Sequence, residues 1–527
     1  MFKTLSKHKL FLLILLVAIL VRFIGLGNLG MGFFRDEAAL GYNSWSISQT
    51  GQDEFGQFMP VVFRSFEVFF LPLYVYLSAM FMKVLGLSVF STRLVSALSG
   101  VGIVIVSYLL VKTIFPKKKY LPELTALLMS LTPWTLFYSR GAFEGNLGLF
   151  LFSTGVYLFI KKRLSWSFVL MTLSMYSYQA ERLVVPLWLL AALYLTRNTW
   201  WSGPRNFFKT AWPAIVLGLP LAWIWFSPAG LHRAVGVSLL SSGGVSGVYP
   251  TLRKIMAMYT SYFSPRNLFW ELDYNPQRSL IGQSVIFFWL FPGYLYSWWL
   301  VTKSNLKKNT PLKLLFIWLL LGPLPAALTS DPFHTYRSLL MSVPLIIFIS
   351  WGTWELVGKL KGATKTLTLV ALSFLLVFSV ARTASSYLVV SPTLRSNDWD
   401  QVFKPTVKAI EEVSSTSQKI VFDTSFSEPY IQYLFWAKYS PTKVQAVSSS
   451  LALDYYGSIE KIRFTKLDNV YFELVDWPTR RGDRGTIFVL PNSKVPPSEF
   501  ITDPKVELLN EIKNTKGEIV YRLLEIK

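Results

Sequence analysis

Apolar stretches of roughly twenty residues recur along this 527-residue chain and constrain it more than any other feature. That is the length an α-helix needs to cross a bilayer's hydrocarbon core. They fall near residues 10–28, 92–112, 120–139, 143–160, 165–179, 182–197, 211–227, 281–302, 314–330, 337–356 and 366–384. Charged residues make up only 16% of the chain and mean hydropathy is +0.40, whereas soluble domains carry about 25% charged residues. A soluble enzyme, a disordered chain and a coiled coil are excluded, and a polytopic α-helical membrane protein is expected.

The formal charge of +22 fits the positive-inside bias of membrane proteins rather than nucleic-acid binding, because the basic residues cluster in short runs between apolar segments. There are no cysteines, so disulfides and thiol chemistry are absent. The basic start MFKTLSKHKL precedes FLLILLVAILVRFIGLG without a small-residue cleavage site. It reads as an uncleaved first span with a cytoplasmic N-terminus.

Five basic runs then set the topology: Lys112 with Lys117–Lys119; Lys161–Arg163; Arg197 with Arg205 and Lys209; Lys303 with Lys307, Lys308 and Lys313; Lys359 with Lys361 and Lys365. All five share one side if the aromatic-rich stretch 66–86 does not cross but lies at the outer interface. About eleven spans result, with the C-terminus outside. Residues 386–527 carry more charge and short β-like runs, namely KIVFDT at 419–424, NVYFEL at 469–474, GTIFVLP at 485–491 and EIVYRLLEI at 518–526. A helical stretch lies at 428–440, and a turn at Lys516-Gly517 suggests a terminal hairpin. The expected division is therefore a membrane domain, 1–385, and an extracytoplasmic α/β domain, 386–527.

Four polar clusters fall on the outer side of that topology. The first segment carries Asp36 and Glu37 at the start of a helix, and Asp53 and Glu54 in a Gly-flanked turn. FYSRGAFEGNLGLF carries Arg140 and Glu144; MYSYQAERLVVP carries Tyr178 and Arg182, with Gln179 and Glu181 between; TSDPFHTYRSLLMSVP carries His334 and Arg337. Each alone has an ordinary explanation: a first-turn acid facing the helix dipole, an i,i+4 ion pair, a snorkelling arginine, a solvated histidine. Together they offer a carboxylate as general base and Arg and His to neutralise a phosphate leaving group. That suits transfer from a lipid-phosphate-linked donor to an acceptor outside.

FRDEAALGYNSWSISQTGQDEFGQ, YSRGAFEG, YSYQAERLVVP and DPFHTYRSLL resemble the bacterial GT-C glycosyltransferases, the group similar to protein O-mannosyltransferases and aminoarabinose transferases. The resemblance covers roughly residues 10–385. It implies a GT-C fold and transfer of a sugar, with inversion, from a polyprenyl-phosphate donor at the outer leaflet to a protein, lipid or glycan acceptor. Asp36 would match the catalytic first-loop acid and deprotonate the acceptor, and Glu37 the second acid of the pair. Arg140 and Glu144 would match the second outer motif. Tyr178, Arg182, His334 and Arg337 would sit in the lipid-phosphate cavity, and 66–86 would match the juxtamembrane helix.

Relatives often carry a Lys-Pro step before that helix. Here Phe69-Phe70-Leu71-Pro72 lacks the lysine, and Arg64 is the candidate to replace it. No cofactor is fixed. Some GT-C enzymes use a divalent ion and others do not, and Asp36, Glu37, Glu144 and His334 are the oxygen-rich set with one imidazole that would hold it. The rival readings are a lipid-linked oligosaccharide flippase or transporter, a polysaccharide polymerase or ligase, and a membrane sensor. The first would place ionisable groups in mid-span or in broken paired helices, and no inverted repeat is seen.

Overall fold

The structure is a computed structural model that describes residues 9–66, 68–200, 203–228, 247–304, 309–414, 418–448, 454–457 and 463–527. The opening MFKTLSKH and the basic pair Lys307 and Lys308 lie outside the described residues. The chain forms two compact units. One comprises residues 1–26, 71–74 and 93–386; the other comprises 27–70, 75–92 and 387–527. The segment that follows the first helix therefore groups with the C-terminal residues, which the change in composition near 385 does not foreshadow.

The first unit is helical. Among the described residues, five helices are long and apolar enough to cross a membrane: Val89–Ile114, Pro204–Trp225, Thr310–Ala327, Leu339–Lys359 and Gly362–Leu394. A sixth candidate is the pair Pro133–Ser139 and Glu144–Ile160, bent by 115°. Several other expected spans fold as shorter apolar helices, including Lys9–Phe23, Leu121–Leu131 and Leu164–Met175. Only 11% of the most apolar stretch of Gly362–Leu394 is buried, with Phe374 and Val377 exposed. Apolar surface of that extent suits a face turned to lipid. The basic runs sit at helix ends: Lys112, Arg197, Lys303 and Lys359 in last turns and Lys161 at a C-cap.

The stretch 66–86 differs in detail from a single helix. Strands β1 (Phe63–Ser65) and β2 (Val68–Phe70) form an antiparallel hairpin, and Pro72 then starts a 14-residue helix to Leu85. At 1.5 Å per residue this helix is about 21 Å long, less than the roughly 30 Å hydrocarbon core.

The second unit contains a six-stranded mixed sheet. Its remaining strands are β3 (Lys419–Asp423), β4 (Lys466–Leu467), β5 (Val470–Glu473), β6 (Thr486–Pro491), β7 (Val506–Lys513) and β8 (Ile519–Ile526), in the order β4-β5-β3-β6-β8-β7. β3 is parallel to β5 and β6, and the other pairs are antiparallel. Every residue of β6 is buried, as expected of a central strand covered on both faces. Val421, Trp477, Phe488, Leu490 and Leu524 pack one core. The four β-like runs, the helix at 429–436 and the terminal hairpin all form, with Gly517 at φ 82° in the turn.

Close helix packing in the first unit rests on glycine. A Cβ at Gly352 of the helix Ser342–Lys359 would overlap the Gly293 carbonyl oxygen of the helix Phe291–Lys303. Small residues allow membrane helices this approach. Gly352→Val is expected to destabilise by about 1–3 kcal/mol, the usual cost of overpacking, read as a lowered thermal midpoint in detergent. An unchanged midpoint would mean the two helices are not in contact.

Candidate functional site

The predicted site residues divide between the two units, and each group is described by itself. In the second unit, Arg35–Thr50 is a 16-residue helix with Asp36 and Glu37 in its first turn. Glu37 is fully buried, whereas Asp36 is half-buried. Phe34 at the N-cap offers no side-chain cap. Asp400 supplies one instead, its Oδ2 accepting from the Arg35 backbone N–H at 3.0 Å.

Asp53 and Glu54 serve this segment's own architecture. Asp53 Oδ1 accepts from the backbone N–H groups of Phe55 and Gln57, both at 2.9 Å, and Tyr455 donates its hydroxyl to Oδ2. Glu54 Oε1 accepts from Asn43 Nδ2 at 3.3 Å. Arg64 is buried. Its backbone N–H donates to the Tyr455 hydroxyl at 3.0 Å, and its guanidinium lies 5.5 Å from the Phe69 ring centroid.

In the first unit, the bend between Pro133–Ser139 and Glu144–Ile160 carries the second motif. Arg140 reaches the end of the first helix. Its Nη1 and Nη2 donate to the carbonyls of Val21 and Ile24, at 2.6 and 2.9 Å, meeting the unpaired acceptors at the end of the first helix. Glu144 is the first-turn acid of its helix. The next N–H, of Gly145, donates to the Tyr336 hydroxyl at 2.8 Å. The Tyr336 ring packs against Tyr138, Phe143 and Tyr178, with centroids 5.1, 5.2 and 4.5 Å away. Glu144, Tyr178 and the late motif thus meet around Tyr336.

His334 and Arg337 share a turn rather than the helix face that their spacing suggests. The Arg337 backbone N–H donates to His334 Nδ1 at 3.2 Å. His334 Nε2 and Arg337 Nη1 each lie 3.8 Å from Asp331 Oδ2. Arg278 Nη1 reaches the same oxygen at 3.3 Å and its Nη2 reaches Asp273 at 3.2 Å. Asp273 Oδ2 in turn accepts from the N–H and hydroxyl of Thr335, at 3.0 and 2.9 Å.

Sequence reasoning missed Asp273, Arg278, Asp331 and Tyr336. Asp331 and Tyr336 stood inside a quoted motif. The signal for the others was DYNPQR, a polar turn within a mainly apolar stretch.

Arg182 is different. It begins the helix Glu181–Trp200 and is 4% exposed, and all three of its guanidinium nitrogens are buried without a hydrogen-bond partner. A buried, unpaired cation is costly and calls for an anion. Its planar fork suits a phosphate.

Among the described residues no three His, Cys, Asp or Glu side chains group closely enough to hold an ion, and no step is routed through a metal.

Burial pushes the Asp53 carboxyl up to about 6 and that of Glu54 up to about 8, the Asp53 charge adding to the latter. Unfolded carboxylates titrate near 4. Between that value and about pH 8 the folded state holds more protons, so stability falls as pH rises. Thermal unfolding from about pH 5 to about 9 is expected to show this fall, and Glu54→Gln to flatten its upper part. An identical slope in the variant would mean Glu54 is ionised throughout.

No protein-family model and no curated protein matches the chain. Solved structures do. ArnT from Cupriavidus metallidurans bound to undecaprenyl phosphate aligns with TM-score 0.56 at 10% identity, covering 98% of both chains. The apo state of the same protein aligns with TM-score 0.56 at 12% identity, again over 98% of both. The oligosaccharyltransferase AglB from Archaeoglobus fulgidus, in complex with an inhibitory peptide and a dolichol-phosphate, covers 82% of this chain and 64% of its own at 14% identity. Its TM-score of 0.46 is too low to carry an argument. The chain shares the fold of the ArnT structures over nearly its whole length.

Proposed function

We propose that this protein is a membrane glycosyltransferase that moves a sugar from a polyprenyl-phosphate donor to an acceptor hydroxyl or amine. The observation that carries the reading is the buried guanidinium of Arg182, which has no acceptor of its own. A lipid-linked phosphate supplies the missing anion. The fold of a protein solved with undecaprenyl phosphate supports the same donor class.

The chemistry follows from the residues. Asp36, half-buried at the start of its helix, takes the proton of the acceptor as its oxygen or nitrogen attacks the anomeric carbon. The bond from that carbon to the lipid-phosphate oxygen breaks, and its electron pair leaves with the phosphate. A single displacement through an oxocarbenium-like state inverts the anomeric centre. Arg182 offsets the charge that develops on the leaving phosphate, with Arg337 and His334 as further donors. Arg140, held by two carbonyls, keeps its helix in place. The Lys and Arg runs support a cytoplasmic N-terminus and an outer location for the second unit.

A panel of radiolabelled polyprenyl-phosphate sugars given to the purified protein in lipid tests the reaction. Asp36→Asn is expected to lower turnover by on the order of 10²-fold or more with donor binding retained. Near-normal transfer by that variant would remove Asp36 from the role. Arg182→Met is expected to weaken donor binding about tenfold or more. The same change should raise the thermal midpoint of the ligand-free protein, because it deletes a buried unpaired charge. A variant that binds donor normally and melts no higher would refute the phosphate assignment.

A further inference from the structure

We propose that Asp400 is a positioning residue for the reaction: it fixes the first turn of the helix that presents Asp36, so the C-terminal residues build the base rather than only select the acceptor. The inference rests on the assignment of Asp36 above. All the residues in it belong to the second unit.

A helix's first turn carries unpaired N–H groups and frays unless a side chain closes it. The helix Arg35–Thr50 has no closing side chain at its N-cap, because Phe34 stands there. Asp400, 365 residues away in sequence, accepts from the Arg35 N–H through Oδ2. The same oxygen is aimed by Ser427 Oγ at 3.2 Å and Gln432 Nε2 at 3.3 Å. Gln432 Nε2 also donates to the Phe33 carbonyl at 3.0 Å, while its own Oε1 accepts from Trp436 Nε1 at 3.0 Å.

The residues just before Asp36 are gripped one after another. Gly32 lies so close to the Trp399 carbonyl and Gln401 that a Cβ would overlap both. The Phe33 ring packs on Phe435 and Trp436, with centroids 4.4 and 5.7 Å away. Phe34 meets Trp399 edge to face at 5.1 Å. Asp400 itself adopts φ 51°, in the left-handed region that Asp enters more readily than most non-glycine residues. The turn at 399–401 and the helix Pro429–Trp436 therefore form a cradle whose product is one fixed first turn. A base must be held to within a fraction of an ångström to act, and displacement by about 1 Å can cost on the order of 10²-fold in rate.

The test compares the wild type, Asp36→Asn, Asp400→Ala, Asp400→Asn and Ser427→Ala in the full chain in lipid. The substrate is the radiolabelled polyprenyl-phosphate sugar that the panel selects, and amide hydrogen exchange is followed over residues 33–40. Asp400→Ala is expected to lower kcat by about tenfold or more while KM for the donor stays within about twofold. Exchange at Asp36–Ala38 should quicken. Asp400→Asn keeps an oxygen that accepts the Arg35 N–H, so it should recover most of kcat and most of the protection. Ser427→Ala, the milder change, should fall between. Wild-type kcat and exchange in Asp400→Ala beside an inactive Asp36→Asn would overturn the positioning role alone. A fully active Asp36→Asn would overturn the base assignment and with it the catalytic meaning of the cradle, leaving the exchange data to report only on the helix end. If Asp400→Ala does not fold, wild-type kcat and unchanged exchange in Ser427→Ala refute the proposal.

Discussion

A guanidinium taken out of water must find acceptors, and the helical unit is organised by how it meets that demand. Arg22, fully buried, donates to the carbonyls of Met129 and Ser130 at the end of one helix and to Ala18 within its own. Arg140 donates to the last carbonyls of the first helix, and Arg93 to Leu26 nearby. In an apolar surround an unpaired carbonyl at a helix end is costly and a bare cation far more so, so each pairing lowers both costs. The helices Lys9–Phe23 and Leu121–Leu131 are located by this exchange as much as by side-chain packing. Against that pattern Arg182 stands out: among the described residues it is the arginine whose three buried nitrogens all lack a partner.

The second unit solves a related problem with carboxylates. Asp53, Glu54 and Asp400 are all buried, and each closes a backbone or side-chain donor set: a turn, the Asn43 amide, the end of a helix. They are structural acceptors. Asp36, by contrast, is only partly buried. The Gln445 amide adds to the stitching by donating to Ser46, Thr50, Gln52 and Asp53. Tyr42 donates to the Tyr439 carbonyl.

Local pattern made the strands KIVFDT and GTIFVLP legible in the sequence, because dense β-branched and aromatic runs between turns have few other uses. Edge strands were harder. Lys466–Leu467 is two residues long, and Val506–Lys513 is polar and twice irregular in register. His334 and Arg337, three apart in one motif, meet in a turn through the Arg337 backbone N–H. Arg140 and Arg182 looked alike in sequence, each beside an acid at a helix end. Only packing separates the one that finds carbonyls from the one that does not. The grouping of residues 27–70 with the C-terminal residues was invisible for the same reason. It is made by contacts between residues 365 to 402 apart, such as Arg35 with Asp400 and Asp53 with Tyr455, and nothing in local periodicity encodes them.

That separation also sets an order of events during biosynthesis. At the usual 5–20 residues per second, the 365 residues between Arg35 and Asp400 take about 20–70 s to emerge. Throughout that interval the helix carrying Asp36 has been made but cannot be closed at its N-terminus. Contacts of such span are also the slowest to form once the chain is complete. The nascent chain thus carries its acid pair in an unfinished turn until Asp400 and the residues that aim it arrive.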